Sequence, residues 1–436
     1  MLSSFSIKNF RSIVDLTVDF TYGEGKAPNG YQKSDYLPFI ESEAGERLVP
    51  CLGFFGANAS GKTNIIKAIH IFQGLISNGG ASPIFFDPNV LNRKYQDTTF
   101  SLTFILGNNL FAYSIMYNAT HITSETLAKN GKPLFEINRM EPAFSGHLET
   151  QGYLKDKLAD ILRVECSDGG GRQTKLFFNR IGLGYQGLNI DIKESFDYIK
   201  NRLGVFSNKT PLLLSSAVDF LAPLFNNDKS KALVEIVDVV RRLDIDIDGI
   251  DIIRSELPSH AMPPPSMFNP APDAGFVETD AAGNKYVLTI MSRHKDISGR
   301  PVLLNFLTGA SAGTQRLAGL VGLFLHALKT GSTLFIDELE CSLHPLLMRE
   351  LVLLFKKRSH NHKGAQLIFT THNTDILDDT ILRVSEIALT RKTPANGTMI
   401  RRLSDLKNEG VDIRNVTNFR KQYLEGFYSG IPHPAI

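Results

Sequence analysis

The sequence predicts an α/β fold with a mostly parallel sheet that is covered on its faces. Two observations support this prediction. In the last third of the chain, short runs that are apolar throughout alternate with helical patterns. A glycine-rich motif follows another such run near residue 55. The residues before and after that motif alternate in polarity, which predicts a mixed-sheet amino-terminal lobe, and the middle of the chain predicts an inserted, largely helical lobe.

Composition excludes several classes of protein. The chain has 436 residues, 42% of them hydrophobic and 21% charged, as in ordinary folded domains. Lys and Arg (47) nearly balance Asp and Glu (45), so the chain is not strongly basic overall, although a local basic face stays open. No apolar run reaches membrane-spanning length, and the first ten residues lack the order of a signal peptide. The cysteines Cys51, Cys166 and Cys341 are far apart, which argues against disulfides or structural zinc. We therefore expect a cytoplasmic protein without a membrane partner.

The amino-terminal elements follow from polarity patterns. Residues 5–20 predict two strands joined around residues 9–12, and a polar loop covers residues 22–46. An apolar run at residues 48–55 precedes a helical pattern at residues 65–75. Further strands are predicted at residues 99–106 and 110–117, with Gly107-Asn108-Asn109 as the hairpin turn.

The pattern changes between about residues 145 and 280. Helical patterns occupy residues 192–203 and 231–243, and a glycine-rich turn lies at residues 169–171. Residues 258–272 hold six of the 20 prolines and predict a flexible surface loop. Afterwards the sequence predicts, in order, a strand at 302–306, a helix at 314–328, a buried strand at 333–336, a helix from Pro345 and a buried strand at 366–370.

A complete phosphate-loop motif, GxxxxGK[ST], spans residues 56–63, between an apolar strand and an amphipathic helix. Its glycines let successive N–H groups point at phosphate oxygens. Lys62 would reach the β- and γ-phosphates, and the Thr63 hydroxyl would hold Mg²⁺. A chance match explains this strand–loop–helix context poorly. The predicted nucleotide-binding residues are Gly56, Asn58, Ala59, Ser60, Gly61, Lys62, Thr63, Asn64 and Arg11.

Two further strands end in residues suited to phosphate chemistry. Asp337 and Glu338 follow the strand at 333–336; Asp337 would hold the Mg²⁺ shell, and Glu338 would act as general base. A buried strand ending in an acidic turn is common, however, and only the upstream phosphate loop favours this interpretation. His372 follows the strand at 366–370 and is predicted to sense the γ-phosphate, with an ordinary solvated histidine as the alternative.

Ser311, Ala312, Gly313 and Thr314 open the long apolar helix at 314–328. A helix N-terminus attracts anions, so this end is a second candidate phosphate site, although an ordinary N-cap is the alternative. One chain does not easily bring this end to the phosphates that the first loop holds. Two chains arranged head to tail would do so.

The order of phosphate loop, long insertion, Ser-x-Gly helix, Asp-Glu strand and strand-His resembles the ATP-binding-cassette (ABC) ATPase heads of the RecF and SMC superfamily. The opening Ser6–Ser12 also looks like the first strand and turn of those heads. The likeness is closest to the compact AAA-family, OLD-like ATPases of anti-phage systems such as Septu, PARIS and the retron-associated ATPases. Residues 309–317, 337–345, 370–373 and 420–432 resemble that group. The resemblance covers about half the chain and hardly touches residues 145–285.

The resemblance implies roles for named residues. Lys62 and Thr63 would form Walker A, Asp337 and Glu338 Walker B, and Glu338 and His372 would be catalytic. Ser311 to Thr314 would be a signature motif that acts on the partner's ATP, and residues 342–344 would bridge two protomers. The family implies ATP and Mg²⁺ sandwiched between paired heads of a homodimer or a higher homo-oligomer, with slow hydrolysis.

The sequence also departs from the family pattern. The signature has one glycine in place of the two found in transporters, and we assign no Q-loop glutamine. The insertion is too short for an SMC coiled-coil arm and lacks a zinc hook. The expected segments are an amino-terminal half-head (1–144), an inserted lobe (145–284), a carboxyl-terminal half-head (285–390) and a tail (391–436).

Two functions are expected from the resemblance. The first is a sensor or scaffold in anti-phage defence or abortive infection, which controls a separately encoded nuclease or toxin, since no nuclease motif follows His372. The second is a RecF-like repair ATPase that clamps DNA, so nucleic acid stays open as a partner. A solvated surface explains equally well the basic residues of the tail, namely Arg391, Lys392, Arg401, Arg402, Lys407, Arg414, Arg420 and Lys421. The asparagine-phenylalanine-arginine opening and the large insertion argue against a transporter subunit.

Overall fold

The computed structural model describes residues 1–23, 35–91, 95–139, 145–149, 153–168, 172, 174–207, 214–243, 249–256, 276–280, 282–406 and 418–428. The chain divides into two compact units. The first contains Met1–Asn208, Ala327–Leu339 and Val352–Ile436, and the second contains Lys209–His326 and Glu340–Leu351. The predicted turn at 169–171 and the proline-rich loop at 258–272 lie outside the described residues. The predicted segment boundaries at 144, 284 and 390 stay predictions.

Nineteen strands are present in the described residues. They are β1 (Leu2–Phe10), β2 (Ile13–Asp19), β3 (Ile40–Glu41), β4 (Arg47–Leu48), β5 (Cys51–Phe55), β6 (Thr98–Leu106), β7 (Asn109–Tyr117), β8 (Ile122–Lys129), β9 (Lys132–Asn138), β10 (Ser145–Leu148), β11 (Leu203–Phe206), β12 (Gly249–Glu256), β13 (Phe276–Thr279), β14 (Lys285–Lys295), β15 (Pro301–Asn305), β16 (Thr333–Ile336), β17 (Gln366–Thr370), β18 (Ile387–Thr393) and β19 (Gly397–Arg402).

The described helices include the five that the sequence predicts, α1, α5, α7, α9 and α10, and several short ones that it does not. They are α1 (Lys62–Asn78), α2 (Tyr153–Asp156), α3 (Leu158–Asp160), α4 (Phe177–Gly182), α5 (Ile190–Asn201), α6 (Leu214–Leu221), α7 (Lys229–Arg242), α8 (Phe306–Gly309), α9 (Ala312–Thr330), α10 (Pro345–Lys356), α11 (Leu403–Leu406) and α12 (Phe419–Leu424). Between the predicted boundaries at 145 and 284, helices hold more described residues than strands do.

Thirteen strands form one sheet in the first unit, in the order β10-β9-β8-β7-β6-β1-β2-β19-β18-β5-β17-β16-β11. The strands from β18 to β11 pair in parallel, and the other neighbours are antiparallel. Every residue of β5, β16 and β17 is buried. The predicted α/β fold, with a covered parallel part and a mixed amino-terminal lobe, is confirmed.

The antiparallel part is larger than the sequence analysis predicts. The expected hairpin of β6 and β7 continues into β8, β9 and β10 as a meander. Asn130 and Gly131 turn between β8 and β9 with φ of 49° and 78°, the left-handed values that an Asn-Gly hairpin turn needs. At the opposite edge, the predicted helix at 192–203 ends at Asn201, because the apolar residues of β11 pair in parallel with β16.

Helix α1 joins the phosphate loop to the antiparallel lobe through an aromatic core. Phe72, near the middle of α1, is fully buried. Its ring centroid lies 5.6 Å from that of Phe5, 6.2 Å from Phe100 and 5.9 Å from Tyr113. Offset and edge-to-face aromatic pairs each add to the free energy gained by burial. The helix that begins at the phosphate loop is therefore anchored on strands far from it in sequence.

A buried ionic cluster attaches α4 to the meander. The Glu125 carboxylate of β8 accepts hydrogen bonds from the backbone nitrogens of Phe177 (2.8 Å) and Phe178 (3.0 Å) at the start of α4. It also accepts from Tyr113 Oη (3.0 Å) and from Arg139 Nη2 (2.9 Å). Burial and the Glu125 charge raise the pKa of Tyr113 well above its usual value, so the phenol stays a donor. Two unpaired helix N–H groups thus find their partner on a strand.

The second unit combines a small antiparallel sheet with helices. Strand β14 pairs with β12, β13 and β15. Helix α9 lies close to α6 and α7 at Gly322, where an added Cβ would come within 2.5 Å of Ala217 Cβ and 2.8 Å of Ile236 Cδ1. A glycine at this position lets the helices approach closely.

We expect Glu125→Gln to lower the free energy of unfolding by about 3–5 kcal/mol, because the Arg139 charge would stay buried without its carboxylate. Urea unfolding followed by circular dichroism measures this loss. The matched control is Asp160→Asn, which breaks an exposed ion pair with Arg163 and should cost about 1 kcal/mol or less. Similar losses in the two variants would contradict a structural role for the cluster.

Candidate functional site

The phosphate loop lies between β5 and α1, as predicted. Three of its residues have a positive φ, namely Gly56 (154°), Ala59 (61°) and Gly61 (107°), and Gly61 is the residue before the first turn of α1. Asn58 and Ala59 are exposed at the tip of the loop, whereas Ser60, Gly61 and Lys62 are buried. The first N–H groups of a helix have no partner inside it, so the loop and the start of α1 can bind an anion.

The Lys62 ammonium group points back at its own loop. Its Nζ lies 2.7 Å from Gly56 O and 3.1 Å from Ala57 O, and only 5% of the residue is exposed. These two carbonyl oxygens keep the Lys62 ammonium group next to the position that a bound phosphate would occupy. A phosphate oxygen would make a stronger, charge-assisted bond to the same ammonium group.

The β18–β19 hairpin packs against one side of the phosphate loop. A Cβ on Gly56 would lie 2.3 Å from Thr390 O, and one on Gly61 would lie 2.0 Å from Thr398 Oγ1. The hydroxyls of Ser60 and Thr390 are 2.8 Å apart, and Thr390 Oγ1 donates to Phe55 O at 3.0 Å. The two motif glycines are therefore needed for packing as well as for backbone conformation.

The structure brings the two halves of the predicted site together. Thr63 Oγ1 donates to Asp337 Oδ1 at 3.1 Å, although the residues are 274 positions apart. Asp337 is buried and follows β16, while Thr63 lies in the first turn of α1. A hydroxyl and a carboxylate are the oxygen donors that Mg²⁺ prefers, so the pair fits the predicted ion chemically. In the described part of the chain, no cluster of three or more His, Cys, Asp or Glu side chains is arranged for a metal.

Glu338 occupies a strained turn. Its φ of 51° is left-handed, which costs a non-glycine residue about 1–2 kcal/mol. Two hydrogen bonds hold the turn: Glu338 N donates to Thr370 Oγ1 (2.8 Å), and Leu339 N donates to Thr370 O (3.1 Å). Strained residues that their surroundings hold in place cluster at functional sites, which makes this turn a candidate site.

His372 lies at the same sheet edge. Thr371 N donates to Phe54 O at 3.2 Å, so the end of β17 is fixed beside the end of β5, just before the phosphate loop. His372 follows directly and is exposed. Its roles as γ-phosphate sensor and catalytic residue stay predictions.

Arg11 and Asn64 are held by neighbours close to the loop. The Arg11 guanidinium pairs with Asp87 at 2.5 Å, and its backbone takes a left-handed φ of 51°. Asn64 Nδ2 donates to Ser12 Oγ at 2.6 Å, and Ser12 Oγ lies 2.6 Å from Thr398 Oγ1. These contacts connect the β1–β2 turn, α1 and the β18–β19 hairpin. That the two residues bind nucleotide stays a prediction.

A mainly apolar cavity of about 260 Å³ opens next to Ser12. It lies between the β1–β2 turn, residues 89–91 and the tip of the β18–β19 hairpin. The residues that line it include Ser12, Val14, Leu91, Lys392, Pro394 and Gly397. Because Ser12 also contacts Asn64, the cavity adjoins the first turn of α1.

The predicted signature residues belong to the second unit. Ser311 Oγ accepts from Thr314 N at 3.2 Å and lies 3.0 Å from Thr314 Oγ1, so Ser311 caps α9. A Cβ on Gly313 would lie 2.7 Å from Ser342 O, where the backbone is left-handed with φ of 60°. The ordinary N-cap is therefore present, and Gly313 allows the backbone at Ser342 to approach α9 closely. Any action on a second chain stays a prediction.

The sequence analysis missed several hydroxyl residues that contact the site. Thr370 bonds to the acidic turn at residues 337–338, Ser12 to Asn64, and Thr390 and Thr398 pack on the loop. Only Thr370 had a local signal, since it is a polar residue that directly follows three apolar residues at the carboxyl end of a buried strand. The others depend on strand pairing that joins distant segments.

The helices in the described part of the chain include none that is long and apolar enough to cross a membrane.

A protein-family model described as "AAA domain, putative AbiEii toxin, Type IV TA system" matches residues 190–378. This segment is less than half of the chain. It includes Ser311 to Thr314, the acidic turn at residues 337–338 and His372, but it begins after the phosphate loop. No curated protein matches the sequence at a significant level.

Solved structures similar to the chain include two SMC heads. One, the SMC head bound to the C-winged helix domain of ScpA, is 13% identical, covers 94% of this chain and 99% of its own, and has a TM-score of 0.45. The other, the SMC head domain from Thermotoga maritima, is 15% identical with coverages of 92% and 98% and a TM-score of 0.38.

We expect Gly61→Ala to displace the phosphate loop, because the new Cβ would meet Thr398 at a left-handed backbone position. The variant should lose affinity for a fluorescent ATP analogue and lose more than about 1–2 kcal/mol of unfolding free energy. The control Gly45→Ala also has a left-handed φ, of 81°, but nothing lies within 4 Å of its added Cβ. If both variants lose equal stability and keep the analogue, the hairpin does not constrain the loop.

Proposed function

We propose that this protein is an ABC-type ATPase that binds ATP with Mg²⁺ and hydrolyses it slowly in paired heads. The observation that supports this proposal most is the Thr63–Asp337 contact of 3.1 Å, which joins the phosphate loop to the acidic turn after β16. A phosphate loop and an acidic pair that meet at the carboxyl edge of parallel strands are the parts that nucleotide hydrolysis needs.

The site residues divide the work between binding and chemistry. The loop N–H groups and Lys62 would hold the phosphates, and Thr63 and Asp337 would hold Mg²⁺. The ion would neutralise charge that develops on the transferred phosphoryl group. Glu338 would take the proton of the attacking water, and His372 would contact the γ-phosphate. The held turn at Glu338 supports this assignment, because a base must be fixed relative to the water that it activates.

We assign the nucleotide base to the cavity next to Ser12. Its mainly apolar lining suits a flat, weakly polar ring, and Ser12 connects it to the first turn of α1. Lys392 lies at its rim, where a ribose or phosphate oxygen would find a donor. Comparing the affinities of ATP and inorganic tripolyphosphate measures what the cavity contributes.

In the cell, we propose a sensor or scaffold role in anti-phage defence, with control of a separately encoded nuclease or toxin. The matching family model supports a setting of this kind, because its description names a toxin of a toxin–antitoxin system. That description leaves open whether the destructive activity belongs to a partner or to this chain. Co-expression with and without the neighbouring genes separates the two cases.

The alternative, a DNA-clamping ATPase of the RecF kind, depends on basic residues of the tail. Ion pairs occupy three of them: Arg402 with Asp19 (2.8 Å), Arg420 with Asp375 (2.9 Å) and Lys421 with Glu425 (3.8 Å). Lys407 and Arg414 lie outside the described residues. Because paired charges attract phosphates less than unpaired ones, this observation favours the first proposal.

The decisive experiment is the mass of the purified protein with Glu338→Gln, measured by light scattering with and without ATP and Mg²⁺. The amide keeps the shape of the side chain but removes the base, so we expect bound ATP and a stable pair of heads. Wild-type protein should pair only transiently, because hydrolysis releases it.

The matched control is Lys62→Ala, which removes the phosphate contact and should stay unpaired with ATP. A Glu338→Gln protein that hydrolyses ATP at the wild-type rate would refute the assignment of the base. If ATP changes neither the mass nor the bound nucleotide of the wild-type protein, the proposed function itself is refuted.

We expect Ser311→Arg to prevent ATP-dependent pairing without preventing ATP binding, because a large charged side chain would fill the surface that meets the partner's nucleotide. The change also removes an N-cap, which costs about 1 kcal/mol. The control Asp228→Ala removes the N-cap of α7 in the same unit and should leave pairing intact. Normal pairing by Ser311→Arg in light scattering would remove the signature from the proposal.

A further inference from the structure

Thr370 is the last residue of β17, and 1% of it is exposed. Its Oγ1 lies 2.6 Å from Asp337 Oδ1 and 2.8 Å from the backbone nitrogen of Glu338. One buried hydroxyl therefore contacts both residues of the Walker B pair. Its carbonyl oxygen also accepts from Leu339 N at 3.1 Å, so Thr370 bonds to three consecutive residues of the acidic turn.

The direction of both hydrogen bonds follows from chemistry. A backbone N–H can only donate, and an ionised carboxylate can only accept. The hydroxyl must therefore accept from Glu338 and give its own proton to Asp337. This chain of donors couples the position of the Glu338 peptide to that of the Asp337 carboxylate.

Asp337 Oδ1 accepts a second hydrogen bond, from the Thr63 hydroxyl at 3.1 Å. Thr63 is itself a predicted ligand of Mg²⁺, so its bond to Asp337 is the one that an arriving ion would replace. Thr370 is not a predicted ligand, and its bond can persist when the ion is bound. Partners that orient a ligand in this way tune both metal affinity and activity.

The turn that Thr370 holds has a strained backbone. Glu338 has a left-handed backbone with φ of 51°, which an unsupported turn would relax. Without the hydroxyl, the Glu338 N–H would lose its bond and the carboxylate of Asp337 would lose a donor. The Asp337 carboxylate would keep its bond from Thr63, but the Glu338 peptide and this carboxylate would no longer be linked through one hydroxyl.

We propose that Thr370 is a positioning residue for ATP hydrolysis, which holds the metal-binding carboxylate of Asp337 and the base Glu338 in one geometry. This inference rests on the proposed function. A purely structural hydroxyl would stabilise the turn to the same extent with or without Mg²⁺, whereas a positioning residue affects how the reaction depends on the ion.

The test compares the full-length wild type with Thr370→Val, which keeps the shape but lacks the hydroxyl, and Thr370→Ser, which restores it. For Thr370→Val we expect kcat to fall about 10- to 100-fold and half-saturation to need more Mg²⁺. Affinity for a fluorescent ATP analogue in EDTA should be unchanged, since Lys62 and the loop are intact. Thr370→Ser should recover most of the rate and of the Mg²⁺ response.

The matched control is Thr333→Val at the amino end of β16. Thr333 is equally buried, and its hydroxyl donates to Gln366 Oε1 at 3.3 Å, at the end of the strand opposite the site. This variant should lose stability in urea but keep the Mg²⁺ response. Should Thr370→Val not fold, the pair Thr370→Ser and Thr370→Ala makes the same comparison.

Three results are decisive. A Thr370→Val enzyme with wild-type kcat and Mg²⁺ response overturns the inference and leaves the proposed function standing. A rate loss that serine does not rescue also overturns it, because the hydroxyl would then not be the cause. Wild-type protein that neither binds nor hydrolyses ATP refutes the proposed function, and this inference falls with it.

Discussion

The parallel pairing of β5, β17 and β16 is the constraint on which the rest of the site depends. The register pairs Cys51 with Leu367 and Gln366 with Thr333, so the three strands end at the same edge of the sheet. At that edge Thr63, Asp337 and Thr370 come within hydrogen-bonding distance, although they belong to three distant segments. The buried Gln366 secures the other end, because its amide bonds to the backbone of Leu2 and Val49. The chemistry is thus a consequence of strand register.

A second constraint is the β18–β19 hairpin, which joins the parallel and antiparallel parts of the sheet. It meets β2 at the single pair Gly397–Ile13, where a Cβ on Gly397 would lie 2.2 Å from Ser12 O. Next to this junction, Thr398 contacts Ser12 and packs against Gly61. The hairpin therefore helps to fix the conformation of the loop. Preorganised donors of this kind need little rearrangement when charge develops on a substrate.

The polar network at the phosphate loop and the basic tail support different functions. The phosphate loop and the acidic turn form one connected polar network, which supports a reaction at that site. The basic tail is partly neutralised by ion pairs, which weakens the argument for nucleic acid as the main partner. Hydrogen bonds between buried side chains fix a site more specifically than exposed charges do, because salt screens exposed charges.

The sequence by itself determined the local elements whose signals lie within a few residues. Apolar strands around residues 52, 335 and 368, the loop at 56–63 and the helix that follows it were all predictable, because motif and periodicity agree there. The Asn130-Gly131 turn is an equally local hairpin signal. Only the tertiary structure decided that β11 joins the sheet, that Glu125 holds α4 and that Thr370 bonds to both Asp337 and Glu338. Those contacts join residues from 32 to well over a hundred positions apart in the chain, and no local pattern specifies which distant strand a residue will face.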